Sequence, residues 1–242
     1  MGHWRGTWRA SHRDAEPSPA AGMSWVIEAE AAGETGVTLN YLLLQLGTAV
    51  FAITGVLVAA RQNMDVLSLL TIGIVAAVGG GTIRDLLLDA PVFWLGDPNY
   101  VSVAVLAALG TFFFERHFRA TERAFLYLDG IATALFAVLA TEKTLQLGFD
   151  SGVALMMGVI TGIGGGVLRD TITSQPTILL RRELYMTPIL LGGVLYMQLR
   201  RASILGPGQT MLAAATTIAA VRVAAIRFDW KFPGWLTYRR RS

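Results

Sequence analysis

Along this chain, long apolar blocks alternate with short gaps that hold most of the charge. Seven apolar runs stand out: Tyr41–Ala60, Val66–Ile83, Tyr100–Phe114, Ala124–Ala140, Gly152–Leu168, Tyr185–Leu199 and Thr210–Ile226. Runs of this kind read as membrane-spanning helices, because a chain in lipid must satisfy its backbone hydrogen bonds within each segment. Several are shorter than the ~20 residues that usually span a bilayer, so they must extend into their flanks or lean on neighbours. Residues 1 to about 37 are polar, hold Pro17 and Pro19, and lack an apolar signal-peptide core, so they read as a flexible tail. A surface-lying piece is expected around Trp25–Ile27. The C-terminal stretch "FDWKFPGWLTYRRRS" is aromatic and basic, and suits the headgroup region of a membrane.

The blocks repeat. At a constant, ungapped offset of 85 residues, Phe51 matches Phe136, Ala52 matches Ala137, Asp65 matches Asp150 and Gly73 matches Gly158. The stretch "GGGTIRD" (Gly79–Asp85) matches "GGGVLRD" (Gly164–Asp170), Pro91 matches Pro176, and Tyr100 matches Tyr185. Chance agreement is easy for Leu and Ala but not for a glycine triplet, Arg, Asp, Pro and Tyr in register. Each copy holds three spans, and three is odd, so the second copy enters the membrane from the opposite side. The fold class predicted is an all-α integral membrane protein with seven transmembrane helices, an inverted 3+3 repeat plus one. Its parts are a polar tail (1–39), a first repeat (40–118), a second repeat (119–203), a seventh helix (204–227) and a basic tail (228–242). Folds of this kind place a permeation or binding site near the midplane.

Charge sets the orientation. One side holds Arg61, the group Arg116, Arg119 and Arg123, the pair Arg181 and Arg182, and the basic C-terminus. The other holds Lys143, Arg200 and Arg201, with an acidic loop carrying Asp85, Asp89 and Asp97. By the positive-inside rule the first side is cytoplasmic, the N-terminus outside and the C-terminus inside. Composition agrees with the membrane reading: 53% of the 242 residues are hydrophobic and 15% charged, and the mean hydropathy is +0.51. A soluble domain carries about 25% charge. There is no cysteine, which excludes disulfides and thiolate metal sites. The basic balance of +3 lies in loops and at the C-terminus and does not by itself point to nucleic acid.

The candidate chemistry sits at the doubled motif. A glycine costs a helix interior about 1 kcal/mol relative to alanine, so Gly79, Gly80, Gly81 and Gly164, Gly165, Gly166 each predict a kink or unwound turn, tolerated only where protein or water satisfies the backbone. Close packing is the competing reading, since Gly158, Gly162 and Gly166, and Gly73, Ala77 and Gly81, are spaced four apart. Packing does not explain the charged pairs Arg84-Asp85 and Arg169-Asp170. They either cap helix ends at the membrane surface or lie deep, where a charge costs about 2.5–3.5 kcal/mol and marks an ion or substrate route. Sequence neighbours on a helix do not face each other, so crossed pairs are expected, Arg84 with Asp170 and Arg169 with Asp85. Asp129, within the fourth span, is either a packed polar contact or a charge that senses the membrane field.

Catalytic signatures fail. "GIGGGV" is not G-x-G-x-x-G, there is no G-K-[ST] loop or H-E-x-x-H, and His3, His12 and His117 form no metal cluster. The chain does not read as an enzyme, and no metal or cofactor is expected.

Two GGGxxRD motifs in a chain of 3+3+1 spans resemble the prokaryotic relatives of the TRIC (trimeric intracellular cation) channels, over about Asn40–Ile226. The resemblance implies a homotrimer in the prokaryotic inner membrane. It also implies membrane lipids as the other partners and a pore in each protomer that passes monovalent cations, mainly potassium. That pore runs between kinked second and fifth helices, here the segments with Gly79–Gly81 and Gly164–Gly166; by the reading of the residues above, Arg84, Asp85, Arg169 and Asp170 would line or plug such a path as pore or gate residues. Animal members carry a Lys-Glu-Val lipid motif where this chain has Arg84-Asp85-Leu86. Bacterial members of the same domain family have also been labelled glycine transporters, which leaves a small-molecule transporter as the alternative. A channel needs a continuous wet path with weak sites, and a transporter a site that closes on its substrate.

Overall fold

The computed structural model describes residues 34–62, 64–115, 121–177 and 184–230. Residues 1–33 of the expected N-terminal tail, with its Trp25–Ile27 piece, Arg116, His117, Arg119, Arg181, Arg182 and the basic end of the chain beyond Trp230 lie outside the described residues. The last part of that tail, 34–39, is helical and opens the first helix. Among the described residues the regular structure is all helical. We label the long helices α1 (Glu34–Ala60), α2 (Val66–Leu87), α3 (Asn99–Glu115), α4 (Glu122–Gln146), α5 (Ser151–Ile172), α6 (Met186–Ala202) and α7 (Pro207–Arg227). A single helical turn, Phe93–Gly96, lies between α2 and α3.

Five of these helices are long and apolar enough to cross a membrane: α1 from Leu39, α2, α4, α5 and α7. Helix α3 is apolar but shorter. The 17 residues of α6 include Pro188, Gln198, Arg200 and Arg201, which lower its apolarity. The expectation of seven spans is therefore met by length and composition in five helices.

The expected starts and stops are local chemistry. Asp65 caps α2, accepting the Ser68 N–H at 3.0 Å and the Ser68 hydroxyl at 2.9 Å. Those two bonds hold its carboxyl below the ordinary value. Its counterpart Asp150 sits at the same position before α5. Both α2 and α5 end in one geometry. The N–H groups of Ala90 and Gln175 reach back to the carbonyls of Asp85 and Asp170, each at 2.9 Å. Asp89 and Ser174 take the left-handed conformation, at φ 52° and 50°.

Helix α4 is the most enclosed of the five long apolar helices. It packs on α1, α5, α6 and α7, while α2 packs on α1, α3 and α5. Equivalent residues of the two copies meet directly. The rings of Phe51 and Phe136 touch edge to face, with centroids 5.3 Å apart. Leu42, Leu67, Leu86, Leu106, Phe113, Phe114, Met156 and Leu191 stay exposed. A chain with apolar residues both inside and outside is what lipid as solvent requires.

Candidate functional site

The α2–α5 crossing is where the glycine triplets meet. A Cβ built on Gly80 would fall well inside contact distance of the Thr161 carbonyl oxygen, and one on Gly165 would do the same to the Ala76 carbonyl. Positions 76 and 161, and 80 and 165, are themselves equivalent, so each copy uses its triplet against the other in the same way. Gly79 faces Leu168 while Gly164 faces Ile83, so the helices cross antiparallel.

Both helices stay helical through their triplets, so that of the expected kink or unwound turn the unwound turn is absent. The glycines serve close backbone packing, which repays their cost in helix propensity by removing side chains from the contact.

The crossing also explains why the expected crossed pairs do not form. Arg84 lies four residues beyond Gly80, and Asp170 five beyond Gly165 in the opposite direction. At 1.5 Å per residue that separates them by roughly 13 Å along the crossing. Each arginine instead folds onto its sequence neighbour: Arg84 Nε donates to Asp85 Oδ1 at 2.8 Å, and Arg169 Nε to Asp170 Oδ1 at 2.8 Å. The rule that adjacent helical residues diverge holds for Cβ directions. A guanidinium on three methylenes, in the last turn of its helix, reaches past that limit. Although both pairs are near helix ends, they are buried, with Arg84 2% and Arg169 0% exposed.

Each pair then acquires different company. Asp85 also accepts Lys143 Nζ from α4 at 2.8 Å and the Phe93 N–H at 3.0 Å, and Arg84 lies over the Phe93 ring at 5.8 Å. Arg169 Nη1 donates to Asp129 of α4 at 2.8 Å and to the Thr54 hydroxyl of α1 at 3.0 Å. The Phe125 ring lies 4.8 Å from the Arg169 guanidinium carbon. The Tyr185 hydroxyl donates to the other Asp129 oxygen at 2.9 Å, and Thr133 lies 3.3 Å from that hydroxyl. Asp129 is thus a packed polar contact. Among the described residues, the first cluster joins two cations to one carboxylate, and the second one cation to two carboxylates. One helix, α4, supplies the added charge to both, an acid at 129 and a base at 143. Those positions are about 21 Å apart along its axis.

Several of these partners are absent from the predicted site. In the sequence Lys143 shows only as a loop charge and Tyr185 only as a repeat match. Arg222 lies inside an apolar run, where a charge is itself a signal. Glu142 accepts from Tyr196 and Arg200, tying α4 to α6. Among the described residues no group of three or more His, Asp or Glu side chains is placed to hold a metal ion.

A family model described as "Glycine transporter" matches the chain twice, over residues 41–116 and 126–201. Both boundaries of the second match are displaced by 85 residues from the first, which is the offset read from the sequence. The inner membrane protein YadS of the UPF0126 group, from Escherichia coli K12, is 38% identical over 205 residues, covering 81% of this chain and 95% of its own. A UPF0126 membrane protein of Vibrio cholerae is 36% identical over 213 residues, 86% of each chain. Among solved structures, the TRIC trimeric intracellular cation channel orthologue from Rhodobacter sphaeroides superposes with a TM-score of 0.76 at 38% identity, over 80% of this chain and 100% of that one. A second TRIC cation channel structure gives 0.73 at 29% identity, over 83% of this chain and 98% of its own.

Proposed function

The chain belongs to the prokaryotic TRIC family, a family of channels rather than enzymes, and from that premise we propose that it conducts potassium through a pore in each protomer of a homotrimer. It is a multi-pass, all-helical membrane protein and a cation channel by kinship. The finer assignments are ours. The ion path runs between α2 and α5, with Gly79–Gly81 and Gly164–Gly166 at its narrowest point. Arg84, Asp85, Arg169 and Asp170 gate it. All seven long helices cross the bilayer as inverted repeats (40–118 and 119–203) plus a seventh helix (204–227), with the N-terminus outside and the C-terminus cytoplasmic.

The observation that carries this reading is the α2–α5 crossing with a buried ion cluster beyond each end of it. Backbone in direct contact at Gly80 and Gly165 leaves no room for an ion, which supports a shut state that opens when the two helices part. The clusters are suited to govern that parting. Lys143 ties the end of α2 to α4, and Asp129 ties the end of α5 to the same helix. An arginine lining a cation path would repel the ion. A latch that draws the guanidinium aside would instead leave Asp85, Asp129 and Asp170 facing it, and carboxylates attract cations. A lone charge displaced in the membrane field gains or loses ~2.3 kcal/mol per 100 mV, so clusters of unequal charge at the two ends give the latch a route to voltage sensitivity.

Purified protein in a planar bilayer under a potassium gradient should show unitary current steps. Saturable glycine uptake into liposomes, without such steps, would replace the channel by a transporter and favour the literal reading of the family description.

A further inference from the structure

Helix α7 lies outside both repeats, yet it sends a buried charge toward one of the clusters. Arg222 is 3% exposed. Its Nη1 donates to the Leu184 carbonyl at 3.2 Å, and its guanidinium carbon lies 4.6 Å from the centre of the Tyr185 ring. Its stem passes α4 at Gly130, next to Asp129, where an added Cβ would stand 2.7 Å from Arg222 Cγ. Tyr185, so enclosed, keeps its hydroxyl on Asp129, the residue that holds Arg169. The counterpart tyrosine of the first repeat has different neighbours: Tyr100 packs against the rings of Phe93 and Tyr41, at 4.9 and 5.7 Å.

We infer that Arg222 is a positioning residue through which α7 sets the Asp129–Arg169 latch. It clamps the face of Tyr185 and anchors the backbone just before it, so the phenol can bond Asp129 in one orientation only. Movement of α7 is thereby transmitted to the carboxylate through Tyr185. The cation–ring attraction is suited to this task because it is strong where water is excluded and depends on the ring's facing the charge. Gly130 completes the device, since a larger residue there would push the arginine stem away. This inference rests on the latch reading of the cluster given above.

The test uses full-length protein in planar bilayers. Replacing Arg222→Met and Tyr185→Phe should each raise open probability about tenfold, the population shift given by about 1.4 kcal/mol, and leave the unit current unchanged. The double variant should do no more than either single one, and Arg222→Lys, which keeps a cation over the ring, should recover most of the wild-type behaviour. Effects that multiply, or an Arg222→Met protein that gates as wild type, would overturn the inference. Should Arg222→Met fail to fold, Gly130→Ala crowds the stem without removing a polar group. The same rise is expected, and wild-type gating in it counts against the device.

A melting cycle separates this inference from the channel reading. Arg222→Met and Asp129→Asn should be coupled by about 2–4 °C in the wild-type background and independent in a Tyr185→Phe background. Coupling that survives Tyr185→Phe, or is absent throughout, overturns the positioning role even if the protein conducts no ion.

Discussion

Arg169 is the sharpest place to test the observed pairing, because it is a fully buried guanidinium bonded to two carboxylates on different helices. Replacing it with methionine keeps most of the stem's volume and takes an ion-pair partner from both Asp129 and Asp170, leaving Asp129 the Tyr185 hydroxyl. Removing one partner of a buried pair costs about 3–5 kcal/mol, and two acids that lose the same partner put this variant at the upper end. Asp129→Asn is milder. Arg169 keeps Asp170 and Thr54, Tyr185 can still donate to the amide oxygen, and the loss is one charge-assisted bond, about 1.5–3 kcal/mol. In the double variant only Asp170 still loses an ionised partner, so the total should fall short of the sum by about 2 kcal/mol, well inside the range for contacting residues. Arg84 with Asp170 serves as the control, because roughly 13 Å along an antiparallel crossing separates them and their effects should add within about 0.5 kcal/mol. Free energies would come from denaturation in mixed micelles, followed by far-ultraviolet circular dichroism. If Arg169 and Asp129 simply add while Arg84 and Asp170 couple, the pairing described here is wrong and the two repeats exchange partners instead.

Three further outcomes follow from the same geometry. Lys143→Met should free the end of α2 and raise open probability in single-channel records while costing less stability than Arg169→Met, since Asp85 keeps Arg84 and the Phe93 N–H; an unchanged open probability would remove Lys143 from the latch. Gly80→Ala and Gly165→Ala each drive a methyl group into a backbone carbonyl of the facing helix, so both should lower thermal stability by several degrees. Gly152→Ala, with nothing within 4 Å of the added carbon, should be nearly neutral, and equal melting of all three would deny the close crossing. For orientation, an impermeant thiol reagent on intact cells should label Ser203→Cys, and should label Ser242→Cys only after lysis; the reverse pattern inverts the topology.

The helices were legible in the sequence because a spanning segment must satisfy its own backbone, and the apolar runs mark where that happens. Each of the seven runs lies within one helix or passes its start by a single residue, as Tyr185 does before α6. The helices extend beyond the runs where capping residues or polar ends such as Glu142–Gln146 prolong them. The glycine triplets were legible as sites of consequence, but not in their use. Propensity alone favours a break, and only the facing backbone of the other copy, distant in sequence, makes an unbroken helix with a bare surface the better solution. The pairing of the charges was not legible either. It depends on the direction in which α2 crosses α5, and on side chains long enough to fold back on a neighbour.

What could have been read is the divergence between the repeats. Where the first copy has Leu44 and Val58, the second has Asp129 and Lys143. Both substitutions put a charge into a helix long and apolar enough to cross a membrane, at a cost of about 2.5–3.5 kcal/mol each if left alone in lipid. Such charges persist only where something pairs with them, and the motif Asp85 and Arg169 are the groups of matching sign. The duplication therefore supplies two equivalent arms, α2 and α5, and the differences between copies convert α4 alone into the post to which both are tied. Helix α1, its counterpart, offers the second arm a hydroxyl at Thr54 and no charge. A symmetric crossing held by an asymmetric post can release one end before the other, so opening in two distinguishable steps is the behaviour this arrangement predicts. Lys143→Met should abolish one step and Asp129→Asn the other, whereas a single concerted opening that both variants shift alike would show that the two ends move as one.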